Sequence, residues 1–193
     1  MARHKEFDQD EALQKAMEVF WARGYEASSM QDLVEHMGIN RQSLYDTFSD
    51  KHSLFLKALD RYQAVETRKL ITFMERPGSV KKAFRQLFTG VIEGSFTDGR
   101  QRGCLMNNSM SELAGRCKAT AEKTLRNMRT IEDAFYQALL RAKKEGELRG
   151  VRDPRAAARF LHNSFQGLVL TAKANQDRKT LEDVVKVTLS VLD

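Results

Sequence analysis

The sequence predicts an all-α protein, and three observations carry that prediction. The 193 residues contain 2 prolines and 11 glycines, the residue types that most often interrupt a helix. Helix formers such as Leu, Ala, Glu, Lys, Arg and Gln recur along the whole chain. No run of alternating β-branched residues is long enough to indicate a strand. A chain of this length forms one or two domains with a sizeable core.

The first two helices are predicted from their capping signals. The first spans about residues 8–23 and ends at Gly24, which supplies a C-terminal stop. Ser28 followed three residues later by Gln31 has the pattern of a capping box, so a second helix is expected to begin there. Gly38 ends this second helix, because glycine adopts the left-handed conformation without a Cβ penalty.

Two further helices follow closely. Asn40 is expected to cap a third helix over residues 41–48. Ser49 and Asp50 open a fourth helix, which we expect to continue to about Met74.

The rest of the chain predicts longer helices. Asp153 followed by Pro154 marks one helix start, with Asp at the cap and Pro at the first helical position. Thr180 is expected to cap the last helix. The predicted helices lie at about residues 80–96, 104–114, 117–145, 153–175 and 180–192.

Two short helices joined by residues 38–40, with a third helix before them, have the pattern of a helix-turn-helix at about residues 29–48. The second helix of this motif lies in the DNA major groove. Leu44 and Phe48, four residues apart, are expected to face the core, which leaves another face of that helix for DNA.

That outward face carries side chains able to read bases. Arg bonds guanine and Gln bonds adenine in the major groove, whereas Ser, Tyr and Lys bond phosphates, Lys best beside a helix N-terminus. Asp46 lies near the same face and, as an anion, counts slightly against DNA binding, although its carboxylate could also accept a hydrogen bond from cytosine N4. The predicted DNA contacts are Arg41, Gln42, Ser43, Tyr45, Ser49 and Lys51.

Bulk charge gives no support to this prediction. The net charge is +6, but residues 1–60 hold 7 Lys or Arg against 11 Asp or Glu. The basic excess lies in residues 61–193, outside the predicted motif. Locally, Arg3, His4 and Lys5 form a small basic arm suited to a neighbouring groove.

The residue pattern leaves three kinds of function open, because short helix-turn-helix arrangements also occur in helical proteins that never bind DNA. The first is a transcription regulator, which we expect to act as a repressor. The second is a helical small-molecule-binding protein or enzyme without a DNA role. The third is a DNA-organising protein of the same fold that takes no ligand.

Three segments, GYEASSMQDL at residues 24–33, MGINRQSLY at 37–45 and FSDK at 48–51, resemble the TetR family of transcription regulators. The resemblance is strong over about the first 60 residues and weak beyond them. It implies about nine helices, a homodimer on palindromic operator DNA, and repression relieved by a small ligand. It also implies a helix-turn-helix domain over 1–50 and a ligand-binding and dimerisation domain over 51–193.

The resemblance also assigns roles to individual residues, since Arg41, Ser43, Tyr45 and Lys51 match positions where the family contacts DNA. Gln42 departs from the small residue common at its position, and Thr47 from the frequent aromatic or His. These departures concern the sequence of the operator more than DNA binding itself.

The last two helices carry an apolar seam with small residues. It is interpreted either as half of an intersubunit four-helix bundle, through residues 153–175 and 180–192, or as core within one chain. Its members are Ala157, Leu161, Ser164, Leu168 and Thr171, with Leu181, Val184, Val185, Thr188 and Leu192.

Met and Phe side chains of the C-terminal part are candidates for a ligand pocket, because both suit an adaptable apolar site. Ordinary core is the alternative. The candidates are Phe84, Phe88, Met106, Met110 and Phe135, with Phe96 and Met128 nearby.

Cys104 is the redox candidate. It lies at a predicted helix N-terminus, with Arg100 and Arg102 just before it, and both features favour the reactive thiolate. The stretch beginning Gly103-Cys104-Leu105 also resembles a TetR subgroup, some of whose members sense oxidants or electrophiles. The alternative is a small buried hydrophobic residue at a helix start.

Other classes lack their signatures. Four scattered histidines give no metal spacing, and the chain has no Gly-rich phosphate loop or nucleophile elbow, so neither an enzyme nor a cofactor is expected. No stretch approaches the ~20 apolar residues of a membrane span, and the first ten residues do not have the pattern of a signal peptide. Two cysteines are too few for a disulfide framework, so we expect a cytoplasmic protein.

Overall fold

The computed structural model describes residues 7–97, 102–148, 150–175 and 177–193, and within them every regular element is helical. The all-α prediction is therefore confirmed. In these described ranges no helix is both long and apolar enough to cross a membrane. The elements are α1 (Gln9–Arg23), α2 (Met30–Met37), α3 (Arg41–Phe48), α4 (Lys51–Tyr62), a π-helical segment (Gln63–Thr67), α5 (Arg68–Glu75), α6 (Val80–Ser95), α7 (Leu105–Leu113), α8 (Lys118–Lys144), α9 (Pro154–Thr171), α10 (Arg178–Leu189) and a 3₁₀ turn (Ser190–Leu192).

Helices α4 and α5 form one continuous rod. The backbone stays in the right-handed helical region at Tyr62, Gln63 and Arg68, where the π-helical segment joins the two parts. The expected extension to about Met74 is confirmed, because α5 ends at Glu75. Counted with this rod as one, the described residues form nine α-helices.

The capping box of α2 lies one residue later than predicted. Ser29 is the N-cap and Asp32 the third helical residue, and each side chain bonds the backbone N–H of the other. Ser28 is fully buried, and its hydroxyl donates to the carbonyl of Gly24 at 2.6 Å. The sequence rule named the wrong pair, Ser28 with Gln31, because both registers satisfy the same spacing.

The last helix also begins earlier than predicted. Asp177 is its N-cap, accepting from the backbone N–H of Lys179 at 3.0 Å. Thr180 donates its hydroxyl to Asp177 at 2.6 Å and so supports the cap rather than forming it.

The buried side chains form two clusters. The smaller unites α1–α4 with Leu105, Met106 and Leu113 of α7. The larger unites α5, α6, α8, α9 and α10. Helix α7 therefore lies in the C-terminal half of the sequence but packs into the core of the N-terminal helices, and it joins the two parts of the molecule.

The predicted seam on the last two helices belongs to the core of the chain itself. Ala157, Leu161 and Leu168 are 6%, 0% and 2% exposed, and they pack in the larger cluster together with Leu181 and Val185. Of the two interpretations, intrachain core is the correct one for these five residues. The large apolar side chains that α9 and α10 leave exposed are Phe160, Leu170, Val184 and Val187.

Candidate nucleic-acid interface

The turn between α2 and α3 has the predicted geometry. Gly38 lies in the left-handed region at φ +69°, and its N–H donates to the carbonyl of Val34 at 3.1 Å. Asn40 caps α3 by accepting from the backbone N–H of Ser43 at 2.8 Å. These two local signals fix the direction in which α3 leaves the turn.

Asp32 anchors the start of α2 to α1. Its carboxylate accepts from the backbone and hydroxyl of Ser29 and pairs with the guanidinium of Arg23. The Ser29 hydrogen bonds are the largest cause that lowers the Asp32 pKa to about 2, with Arg23 adding to them. The carboxylate is therefore charged at neutral pH and holds α2 against α1.

Helix α3 has one buried and one exposed face, as predicted. Leu44 and Phe48 are 0% and 4% exposed and pack in the smaller cluster. Arg41, Gln42 and Tyr45 lie on the exposed side, which we call the α3 face. Its residues have the composition of a surface that reads base edges and phosphates.

Side chains of the α3 face interact with neighbouring side chains of the same helix. The Arg41 guanidinium lies 5.8 Å from the centre of the Tyr45 ring, and its Nη2 is 3.5 Å from the Tyr45 hydroxyl. The Gln42 amide donates to Asp46 Oδ1 at 2.8 Å. Asp46, which counted against DNA binding at the sequence level, therefore orients a base-reading candidate, and one Gln42 amide hydrogen and its carbonyl oxygen stay available.

The chain leaves α3 through a strained residue. Ser49 has φ +70° and ψ −59°, and the N–H of Asp50 donates to the carbonyl of Phe48 at 2.9 Å. These angles and this hydrogen bond define a γ-turn centred on Ser49, a conformation that is costly for a residue with a Cβ. Among the described residues, Ser49 is the single non-glycine with positive φ. The turn places the Ser49 side chain and the start of α4 beside the α3 face.

Lys51, in the first turn of α4, lies against an aromatic ring. Its Nζ is 4.4 Å from the centre of the Tyr25 ring, within cation–π range. Sequence analysis assigned no role to Tyr25, because the contact joins residues too far apart in the chain for a spacing rule to detect.

Glu112 of α7 holds the turn that precedes α2. Its carboxylate accepts from the backbone N–H groups of Tyr25 at 2.9 Å and Glu26 at 2.8 Å. Gly24 lies beside it at φ +83°, where an added Cβ would meet a Glu112 oxygen at 2.9 Å. This residue was missed by sequence analysis, since a lone Glu 87 positions from its partner carries no local signal.

The start of α7 is held by two aromatic side chains of the N-terminal cluster. Trp21 Nε1 donates to the carbonyl of Gly103 at 3.0 Å, and the Tyr62 hydroxyl donates to Cys104 Sγ at 3.4 Å. Burial raises the Tyr62 pKa well above its usual range, so the phenol remains a donor. Cys104 is half-buried at the N-cap of α7.

Several sequence-level candidates are not placed by the structure. Arg100, which was expected to act on Cys104, lies outside the described residues, as do Arg3, His4 and Lys5 of the basic arm. Where the structure is described, no three His, Cys, Asp or Glu side chains come together as a metal site.

The five pocket candidates are not brought together. Phe84, Phe88 and Phe135 are fully buried in the larger cluster, with the Phe84 and Phe135 rings 5.0 Å apart. Met106 packs in the smaller cluster instead, and Met110 is half-buried on α7.

The second cysteine lies near the opposite end of α4 from Cys104. Cys117 caps α8, and its Sγ is 3.5 Å from His52 Nε2 in the first turn of α4. Hydrogen bonds from Thr120 lower the Cys117 pKa, the side-chain bond more than the backbone one.

Two family profiles match the sequence. Residues 12–58 match the bacterial regulatory proteins of the tetR family. Residues 75–188 match the tetracyclin repressor-like C-terminal domain. The first match contains α2, α3 and the turn between them, and the second runs from the end of α5 into the last turn of α10.

Curated relatives cover the same length. The chain is 43% identical to the HTH-type transcriptional regulator YezE of Bacillus subtilis (strain 168) over all of both proteins. It is 32% identical to the HTH-type transcriptional repressor ComR of Escherichia coli (strain K12), over 97% of the chain and 90% of that protein. Among solved structures, a cysteine mutant of the TetR family transcriptional regulator CifR, complexed with 26bp double-strand operator DNA, is similar with a TM-score of 0.85 and 28% identity over 100% of both chains.

Proposed function

The chain belongs to the TetR family of bacterial DNA-binding transcriptional regulators, and from this premise we propose that it represses transcription by binding a palindromic operator as a homodimer. The observation that carries the proposal is the α3 face. Arg41, Gln42 and Tyr45 are exposed on one side of a helix whose opposite side, at Leu44, is fully buried. Such a helix presents its polar side to the major groove while its apolar side holds it to the core.

The residues that read the bases lie at the start of α3. Arg41 bonds guanine O6 and N7, and Gln42 bonds adenine N6 and N7. Asp46 supports this role because its 2.8 Å hydrogen bond fixes the Gln42 amide plane before DNA arrives. Gln42 thereby sets the operator sequence, and Asp46 acts as its positioning residue.

Phosphate contacts surround that reading helix. Ser43 and Tyr45 reach the backbone from α3, while Ser49 and Lys51 reach it from the γ-turn and the α4 N-terminus. Lys51 leaves the Tyr25 ring, 4.4 Å away, to meet a phosphate, and the ring keeps its ammonium near that position meanwhile. The proposed contact set is Arg41, Gln42, Ser43, Tyr45, Ser49 and Lys51.

We propose that α9 and α10, which correspond to the predicted helices at 153–175 and 180–192, form the dimer interface. Phe160 and Leu170 on α9 are 46% and 58% exposed, and Val184 and Val187 on α10 are 43% and 70% exposed. Apolar side chains exposed on two neighbouring helices suit a four-helix bundle between two copies. Their pairing would set the two α3 helices about 34 Å apart, or a multiple of that distance, to meet successive major grooves.

We propose that DNA binding and ligand binding belong to two parts of the chain. Residues 1–50 form the proposed DNA-binding domain, and residues 51–193 the proposed ligand-binding and dimerisation domain, with the rod of α4 and α5 belonging to both. A small ligand or a modified thiol would release the operator by favouring an arrangement in which the two α3 helices no longer fit their grooves.

Cys104 is the proposed point of thiol control. Its Sγ accepts from the Tyr62 hydroxyl, so a group added to sulphur would displace Tyr62 and the adjoining Trp21 ring, 5.0 Å away. The α7 N-terminus would move relative to α1 and α4. We propose that the chain belongs to the subgroup whose cysteine at this position responds to oxidants or electrophiles.

Selection of bound sequences from random DNA tests the operator proposal. A palindrome with half-sites one helical turn apart, or a multiple of it, is expected for a two-fold dimer. Enrichment of no sequence, or of a single unrepeated half-site, would contradict the dimeric repressor.

Electrophile titration of operator binding tests the role of Cys104. N-ethylmaleimide should release the wild-type protein from the selected operator, and Cys104→Ser should resist. Cys117→Ser, which removes the other thiol, is the matched control and should respond as wild type does. A Cys104→Ser protein that is released normally would leave Cys104 as a structural residue.

A further inference from the structure

A groove of about 430 Å³ lies between α6 and α10, beside the larger cluster. Helix α6 contributes Lys81, Arg85, Thr89 and Ile92, which follow one another at spacings of four, four and three and so share one side of the helix. The volume lies in the range of sites for small organic molecules. None of the predicted pocket residues lines this groove.

Ion pairs close the groove at both ends. Lys81 pairs with Asp193 at 3.1 Å, and Arg178 pairs with Glu93 at 2.7 Å. Arg178 also lies 3.8 Å from Glu182, which together with Asp193 makes up the acidic part of the lining. Hydrogen bonds from Arg178 lower the Glu93 pKa. The two acidic side chains that line the groove are thus each engaged by a cation.

Two cations in the middle of the groove have no such partner. Among the described residues, Arg85 and Lys186 make no ion pair and no side-chain hydrogen bond, although both line the groove. The end pairs show that α6 and α10 run antiparallel, so Arg85 and Lys186 stand nearly opposite each other. A guanidinium and an ammonium facing each other across a groove form a binding point for an anion.

The floor beneath these cations is apolar. Ile92, Val185 and Leu192 are 2%, 8% and 2% exposed, and the half-buried Leu189 continues the same surface. An inorganic anion would leave this floor uncovered, whereas an apolar tail would cover it. The combination fits a molecule with one charged end.

The proposed dimer leaves the groove open. Val187, the most exposed apolar side chain of α10, is two residues from both Val185 and Leu189. Two residues turn an α-helix by about 200°, so the groove and the proposed dimer face lie on opposite sides of α10.

We propose that the groove between α6 and α10 is a binding site for a small organic acid with an apolar tail, of the medium-chain carboxylate class. Arg85 and Lys186 hold the carboxylate, and the tail lies along Val185 and Leu189. Binding here is independent of the operator proposal and is measured on the full chain without DNA.

Calorimetric titration with sodium octanoate tests the site. One octanoate per chain is expected, and Arg85→Gln with Lys186→Gln should weaken it at least tenfold, because two charge-assisted hydrogen bonds are lost. Lys82→Gln with Lys144→Gln removes the same charge outside the groove and should leave affinity unchanged. All four side chains are exposed, so both variants should fold. Equal affinities in all three proteins would overturn the site.

Two further measurements distinguish a specific site from nonspecific binding driven by charge alone or by hydrophobicity alone. Affinity should rise about fourfold per methylene from hexanoate to decanoate, and octan-1-ol should bind at least tenfold more weakly than octanoate. Methyl resonances of Ile92, Val185 and Leu189 should shift with octanoate, while those of Leu44 stay fixed. Equal binding of octan-1-ol, or shifts that spare the groove methyls, would contradict the proposal.

Discussion

The N-terminal helices have two contrasting surfaces. On the outer one, the hydrogen bonds of the exposed α3 side chains run within α3, between Gln42 and Asp46 and between Arg41 and Tyr45. On the inner one, hydrogen bonds join the N-terminal helices to α7 and to the residues just before it, as the bond from Trp21 to the Gly103 carbonyl does. Among the described residues, the exposed α3 side chains make no hydrogen bond to another helix that DNA binding would have to break. The inner surface fixes the orientation of the helix-turn-helix relative to α7.

The two surfaces should differ in how substitutions affect DNA affinity and the stability of the fold. Exposed side chains with local contacts can be replaced at small cost to folding. Contacts that join distant segments stabilise the fold and also set the orientation of α3. Changes on the outer surface should therefore act on DNA affinity alone, whereas changes on the inner one should act on stability as well.

The largest effect is expected from the phosphate contacts of the outer surface. Tyr45→Ala combined with Lys51→Ala should weaken binding to all DNA sequences by about 100-fold at fixed salt, and should reduce the salt dependence by about one unit of slope. Fluorescence anisotropy over a range of salt concentrations measures both quantities. Lys57→Ala, an exposed lysine later on α4, is the control. Unchanged affinity in the double variant would break the docking geometry.

On the inner surface, Glu112→Ala should change two properties together. Two backbone N–H groups, those of Tyr25 and Glu26, lose a charged acceptor, so the free energy of unfolding should fall by about 1–3 kcal/mol. Operator affinity should fall severalfold as the turn before α2 loosens. Urea unfolding and anisotropy report the two effects, with Glu122→Ala on the α8 surface as control. A variant as stable as wild type would show that the Glu112 carboxylate does not stabilise this turn.

Ser49 tests the junction of the two surfaces. Ser49→Gly should raise the free energy of unfolding by about 1 kcal/mol, because glycine adopts φ +70° without the strain of a Cβ. Ser49→Ala removes the hydroxyl but keeps the Cβ, so it should show no such gain. Denaturant titration of both variants measures the difference. Equal stabilities would mean that the γ-turn stores no strain.

The smallest effect is a pH dependence at Asp32. Its pKa in the folded protein is about 2, below the ordinary 3.8, so its stabilising contribution is present above about pH 4 and is lost as the pH falls towards 2. The stability difference between wild type and Asp32→Asn should therefore shrink over that interval. Urea titrations at pH 5 and near pH 2.5 check it, and a difference that does not change with pH would contradict the assignment.

How much of these surfaces the sequence predicts depends on the separation along the chain between the residues in contact. The outer surface follows from local rules, since Gly38, Asn40 and Leu44 act within one or two turns of chain. The bond between Gln42 and Asp46 joins residues four apart, which helical spacing places side by side, so it was predictable although it was not predicted. Local signals cannot predict the bond between Glu112 and Tyr25, because these residues are 87 positions apart and meet only through tertiary packing.

The same limit explains why the sequence left two interpretations open for the seam on the last two helices. The seam of Ala157, Leu161 and Leu168 has a periodicity that fits a partner helix in the same chain as well as one in another copy. Periodicity identifies a buried face but not what covers it. The structure decides between the two, and leaves Phe160 and Val187 for the proposed partner.

Whether the α3 face reads the operator can be measured by selecting DNA with wild-type protein and Gln42→Ala in parallel. Both proteins should select the same half-site spacing, and Gln42→Ala should lose base preference at one symmetric pair of positions. An unchanged base preference at every position would show that the α3 face does not read the operator through Gln42.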